Sequence, residues 1–211
     1  MQNIQINNSA ALIGIISSDF IFSHEVYGEK FYSFFLSVPR LSGVLDNINI
    51  IISEHLIKER RFKPGDGVSI NGQFRSYNNY SDTGNKLILS VFVKNINHVD
   101  INKNDRESFV NEVKLIGYLC KQPTYRTTPF GREITDLLIA VNRTYNKSDY
   151  IPCIAWGRNA KYSSYLNVGD KVNISGRIQS REYQKKISED EVEAKTAYEV
   201  SISKISFENP A

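Results

Sequence analysis

Cysteine is nearly absent: Cys120 and Cys153 are the only two in 211 residues. Both sit in strand-like apolar stretches, which suits buried, unpaired thiols, and two residues cannot supply zinc-ligand spacing. Histidine is as scarce. His24, His55 and His98 all fall in the first half and make no metal-ligand pattern with a carboxylate or thiol. No Walker-type glycine loop and no Gly-x-Ser-x-Gly elbow occurs, so phosphoryl transfer and serine-type acyl transfer lose their usual signatures. Neither catalysis nor a metal or cofactor is expected. No apolar run approaches the ~20 residues of a membrane helix. The opening "MQNIQINNSA" lacks the basic and hydrophobic regions of a signal peptide, which leads to the expectation of a cytoplasmic protein.

What remains is an ordinary globular composition, 41% hydrophobic and 23% charged, long enough for two domains of roughly 100 residues. The net charge of +3 is unevenly spread. Residues 1–105 hold ten Lys/Arg against ten Asp/Glu. Residues 121–186 hold twelve against five, and residues 187–211 hold two against six. The positive charge therefore belongs to the middle of the second half, a distribution compatible with a solvated face or with a polyanion.

The chain repeats itself. "LIGII" (12–16) returns as "LIGYL" (115–119), and "VYGEKFYSFFLSVPR" (26–40) as "PFGREITDLLIAVNR" (129–143). "FKPGDGVSINGQFRS" (62–76) returns as "LNVGDKVNISGRIQS" (166–180), and "KLILSVFVKNI" (86–96) as "KTAYEVSISKI" (195–205). Four collinear blocks at offsets of 103 to 109 predict two domains, 1–100 and 111–211, joined by the polar stretch 101–110. In each, the pattern is strand, strand, strand, short helix, strand, strand. "NEVKLIGYLC", "REITDLLIAVNR" and "YIPCIAW" are the first three strands of the second copy, with Gly117 marking a bend or bulge. "GRNAKYSSYL" forms the helix, its covering face drawn from Ala160 and Tyr162 to Leu166. "NVGD" turns at Gly169 into two long strands joined by "KKISEDEVEA". The expected class is all-β with short helices: two tandem OB-folds, five-stranded Greek-key barrels.

The two copies differ in their aromatics. Tyr145, Tyr150, Trp156 and Tyr183 are interleaved with Arg132, Arg143, Arg158, Lys161, Arg177 and Arg181. Flat rings stack on unpaired bases regardless of base identity, for ~1–3 kcal/mol each. Cations along a groove meet phosphates and release counterions. The same rings could equally serve as barrel core or edge, and the arginines as edge protection. Counting back 104 positions from Tyr150, Trp156 and Tyr183 gives Asp46, Ile52 and Asn79. A first barrel that folds without these rings favours ligand contact in the second.

The stretches "NEVKLIGYLCKQPTYR", "FGREITDLLIAVNR", "YIPCIAWGRNAKYSSYLNVGDKVNISGRIQSREY" and "YEVSISKI" resemble bacterial single-stranded DNA-binding proteins over about 95 residues, 111–205. The resemblance implies single-stranded DNA as the partner, bound without sequence specificity in replication, recombination or repair, with Tyr145, Tyr150, Trp156 and Tyr183 stacking bases. Tyr150 and Tyr183 stand where tryptophan is commoner in that family. Four OB-folds per assembly would make this two-domain chain a homodimer, with the first barrel kept for assembly and Arg60, Arg61, Lys63 and Arg75 as its phosphate contacts. The resemblance also places the protein in the cytoplasm, with the nucleoid. The closing "SKISFENPA" lacks the acidic tip that recruits replication proteins in that family, which points to a specialised member. Two alternatives stay open: a primosome-type accessory acting mainly through protein partners, and an RNA-binding barrel.

Overall fold

The computed structural model describes residues 6–81, 84–102, 105–186 and 192–208, with the side chains of 79–86, 183–194 and 208 outside that description. Alternation sets the strands. "NSAALIGII" buries every second residue, as a half-covered sheet requires. The first half contains β1 (Asn8–Ile16), β2 (Ile21–Val26), β3 (Glu29–Pro39), β4 (Leu45–Ser53), α1 (Glu54–Arg60), β5 (Gly67–Ser81) and β6 (Gly84–His98). After a short 3-10 turn (Arg106–Ser108), the second half repeats the plan with β7 (Val110–Leu119), β8 (Thr124–Thr127), β9 (Glu133–Asn142), β10 (Ser148–Trp156), α2 (Arg158–Ser163), β11 (Lys171–Lys186) and β12 (Val192–Glu208). Each half is an OB-fold with one strand more than expected. The addition, β2 or β8, pairs antiparallel with the strand after it.

All twelve strands run in one continuous sheet, ordered β2-β3-β4-β6-β5-β1-β7-β11-β12-β10-β9-β8. Each half closes on itself through a further pairing, β1 with β3 and β7 with β9. Closure depends on glycine at the crossing. A Cβ on Gly117 would lie 2.4 Å from the Ala140 carbonyl oxygen, so this residue permits close strand approach. The register shifts instead lie at Phe22/His24, Asn71/Gly72 and Ser175/Gly176.

The halves meet strand to strand. β1 and β7 pair antiparallel with Asn8 opposite Leu115, Ala10 opposite Val113 and Leu12 opposite Asn111. Ala10 and Val113 are each other's counterparts, so a pseudo-twofold axis passes between them. Buried residues from both halves form a single apolar cluster. Cys153 is buried within it and Cys120 is half-buried; both are free thiols.

The helix cover differs from expectation. Ala160, Ser163 and Leu166 face the core, while Tyr162 and Tyr165 stay exposed. A spacing of three explains the burial: one helical face takes small Ala160 and Ser163 against the sheet. The Thr135 hydroxyl fixes the fit by donating to the Ala160 carbonyl at 2.8 Å.

Candidate nucleic-acid interface

Cross-strand partners display their side chains on the same face of a sheet. Tyr150 of β10 stands opposite Ala140 of β9, and Ala140 in turn stands opposite Tyr118 of β7. These three residues form one row, with the two rings ~10 Å apart across two strand spacings and only a methyl group between them. Tyr118 and Tyr150 are 42% and 45% exposed. Trp156 lies six residues beyond Tyr150 on the same face of β10, ~20 Å along the strand, and is 37% exposed. Core alternation in β10 assigns Asp149, Ile151, Cys153 and Ala155 to the interior. Trp156 thus sits outside the barrel.

Tyr145 crowns the β9–β10 turn. Tyr145 and Asn146 both adopt left-handed backbone conformations, φ 60° and 53°, and the Arg143 N–H donates to the Lys147 carbonyl at 2.7 Å to close the loop. The ring is fully exposed. Tyr183 lies in β11 opposite Lys195, and its side chain is outside the described residues.

Among the described residues, no ion pair engages the exposed Arg132, Arg158 and Lys161 or the half-buried Arg177. Arg181 is exposed on β11. Arg143 has another task. It donates to buried Asp149 at 2.9 Å and to the Ser76 carbonyl of the other half at 3.1 Å. Arg75 is likewise withdrawn from the solvent, its guanidinium 4.3 Å from the centroid of the Phe92 ring and bonded to Gln73. Burial and the neighbouring Arg143 charge hold the Arg75 pKa below its ordinary value. Arg60 bonds to Asn97, and Arg61 caps α1 in a left-handed conformation.

These assignments expose a pseudo-symmetric clasp. Asp46 accepts from the Ser180 N–H at 2.7 Å and the Ser180 hydroxyl at 2.9 Å, and it pairs with Arg40 through two nitrogens. Asp149 accepts from the Ser76 N–H at 2.7 Å but holds Arg143 through one nitrogen only, and its Oδ2 has no hydrogen-bond partner among the described residues. Burial pushes both carboxyls up. At Asp46 the donors from Arg40 and Ser180 outweigh it, and the pKa falls below the ordinary value. At Asp149 burial prevails and the pKa is raised.

The clasp also corrects the register between the copies. Ile50 lies beside Val91 and Cys153 beside Val200, so β4 and β10 differ by 103 residues, not 104. The true counterparts of Tyr150 and Trp156 are Asn47 and Ser53, and Asp46 corresponds to Asp149. The aromatics are still missing from the first half.

Sequence reasoning passed over Tyr118, although "LIGYL" already alternated Leu115, Gly117 and Leu119 inward. Tyr125, Phe130, Tyr162 and Tyr165 are also exposed. The Tyr125 hydroxyl donates to Glu133 at 2.5 Å, which raises its pKa.

Residues 110–208 match the model of the Single-strand binding protein family. The single-stranded DNA-binding protein B of Bacillus subtilis (strain 168) is 36% identical over 81 residues, 35% of this chain and 72% of that protein. The single-stranded DNA-binding protein 1 of Staphylococcus aureus (strain COL) is 39% identical over 82 residues, 36% of this chain and 49% of that protein. The chain thus spans about half the length of that staphylococcal relative. The crystal structure of the wild-type single-stranded DNA-binding protein from Thermus aquaticus shares the fold over both halves, with a TM-score of 0.76 at 18% identity, covering 97% of this chain and 94% of that one.

Proposed function

The chain belongs to the single-strand binding protein family, and we propose that it binds single-stranded DNA without sequence specificity, using its second barrel, and catalyses no reaction. The observation that carries this reading is the outward row of Tyr118 and Tyr150 with Trp156 farther along the same face, beside cations that no carboxylate among the described residues neutralises. Bases stack on the rings; Arg132, Arg158, Lys161 and Arg177 meet phosphates, with Tyr145, Tyr183 and Arg181 at the edges of the track. The reading leaves Arg143 in the clasp between the halves.

The first barrel, without rings at Asn47 and Ser53, serves assembly. Two chains would supply four barrels as a homodimer, at work in the cytoplasm with the nucleoid during replication, recombination or repair. Among the described residues no helix is long and apolar enough to cross a membrane. Binding of labelled oligo(dT), blunt duplex and oligo(U) to the full chain tests the reading. Oligo(dT) is expected to bind tightest, with Trp156→Ala weakening it by ~1–3 kcal/mol while the variant stays folded. Equal affinity for duplex, or an unfolded Trp156→Ala, would refute it.

A further inference from the structure

The β8–β9 hairpin carries an exposed ring with no structural use. Phe130 is 92% exposed, yet its turn is firmly held. The Thr128 N–H donates to the Arg132 carbonyl at 2.8 Å and the Gly131 N–H to the Thr128 carbonyl at 2.9 Å. The Arg132 N–H donates to the Thr128 hydroxyl at 3.1 Å, and Gly131 supplies the left-handed residue at φ +74°. The hairpin also adjoins Trp156. Ile134 is the cross-strand partner of Trp156, the Gly157 N–H donates to the Glu133 carbonyl at 2.9 Å, and Arg132, immediately before β9, lies ~7 Å from Ile134 along the chain.

The first half holds a natural comparison. Ile21 opposite Ser33 and Thr124 opposite Asp136 set an offset of 103 for this hairpin. Phe130-Gly131-Arg132 therefore corresponds to Tyr27-Gly28-Glu29. Tyr27 is as exposed as Phe130. The ring and the glycine are kept while the charge after the glycine is reversed; a register shift between Phe22 and His24 sets Val26 opposite Glu29, as Thr128 faces Arg132, and places Glu25 opposite Lys30. A ring beside a cation suits a base and its phosphate; a carboxylate in the cation's place repels the phosphate.

We infer that Phe130 and Arg132 form a further binding subsite for single-stranded nucleic acid, extending the track past Trp156, and that the matching hairpin of the first half is excluded from it by Glu29 in place of the arginine. The inference rests on the function proposed above. It is tested by titrating oligo(dT) into full-length wild type and the variants Phe130→Ala, Tyr27→Ala, Arg132→Gln and Trp156→Ala. Phe130→Ala is expected to weaken binding about 5- to 150-fold, Arg132→Gln to lower the salt slope by about 0.7, and Tyr27→Ala to change neither. Wild-type affinity for Phe130→Ala while Trp156→Ala binds weakly would overturn this inference alone, as would an equal loss for Tyr27→Ala. No binding by the wild type would overturn the underlying function as well.

Discussion

Replacing Asp46 by alanine removes one fully buried side chain that ties the two halves together. Asp46 takes two bonds from Arg40 in its own half and two from Ser180 across the interface. Breaking a buried ion pair from one side costs ~3–5 kcal/mol. Arg40 is 19% exposed and keeps its 2.5 Å bond to the Ser180 carbonyl, so the lower end applies. At ~2–4 °C per kcal/mol for a chain of this size, a loss of ~3 kcal/mol lowers Tm by about 6–12 °C. The pH dependence gives a second handle. Asp46 has a lowered pKa, so its stabilisation is present above the ordinary carboxylate value of 3.8 and disappears as pH falls through the lower folded value. Asp149 has a raised pKa, so its ionisation opposes folding at neutral pH and the penalty is relieved as pH falls through the folded value. Thermal unfolding of wild type, Asp46→Ala and Asp149→Asn from pH 7 into acid should therefore show two opposite trends. The deficit of Asp46→Ala narrows on acidification, while wild type gains on Asp149→Asn. A Tm shift below about 2 °C for Asp46→Ala at pH 7, or a deficit that widens in acid, would refute the clasp.

Gly176→Ala places a Cβ 2.3 Å from the Ser201 carbonyl oxygen at the β11 bulge, and overpacking of this kind costs ~1–3 kcal/mol, readable as a lower urea midpoint. Arg158→Gln with Arg177→Gln removes two cations that no ion pair engages among the described residues and should flatten the salt dependence of oligo(dT) binding by about 1.4 in slope; an unchanged slope would take them off the track. Arg75 is half-buried, packed on Phe92 and bonded to Gln73, so Arg75→Gln should leave that slope unaltered and be detected in thermal unfolding instead.

The barrels were legible because repetition and turn chemistry are local. Gly65 and Gly169 end the equivalent loops with φ +95° and +96°, as "PGDG" and "NVGD" required. The outward reading of Trp156 rested on the first copy folding without such a ring, not on its own strand, whose sequence suited a core plug as well. The counterparts were misjudged because an offset of 104 holds after the helices, at Gly72 and Gly176, but not before them, where it is 103. One extra residue enters between β10 and β11 relative to β4 and β5, and with a period of two a single slip exchanges the faces. The roles of Arg143 and Arg75 were beyond reach for a different reason. Their partners lie in other strands, Ser76 being 67 residues from Arg143, and nothing near an arginine in sequence separates an ion-paired one from a free one. Tyr198 shows the same limit: its hydroxyl donates to the Asn47 carbonyl of the opposite half, 151 residues away, so this ring joins the halves.

The most direct measurement uses the chain's single tryptophan. Emission from Trp156 is followed while oligo(dT) is added at low salt and then displaced with NaCl. An outward ring that takes a base gives strong quenching that saturates with the oligonucleotide and reverses as salt rises. Emission that stays constant through saturation, with oligonucleotide binding recorded independently by anisotropy, would contradict a track running over Trp156.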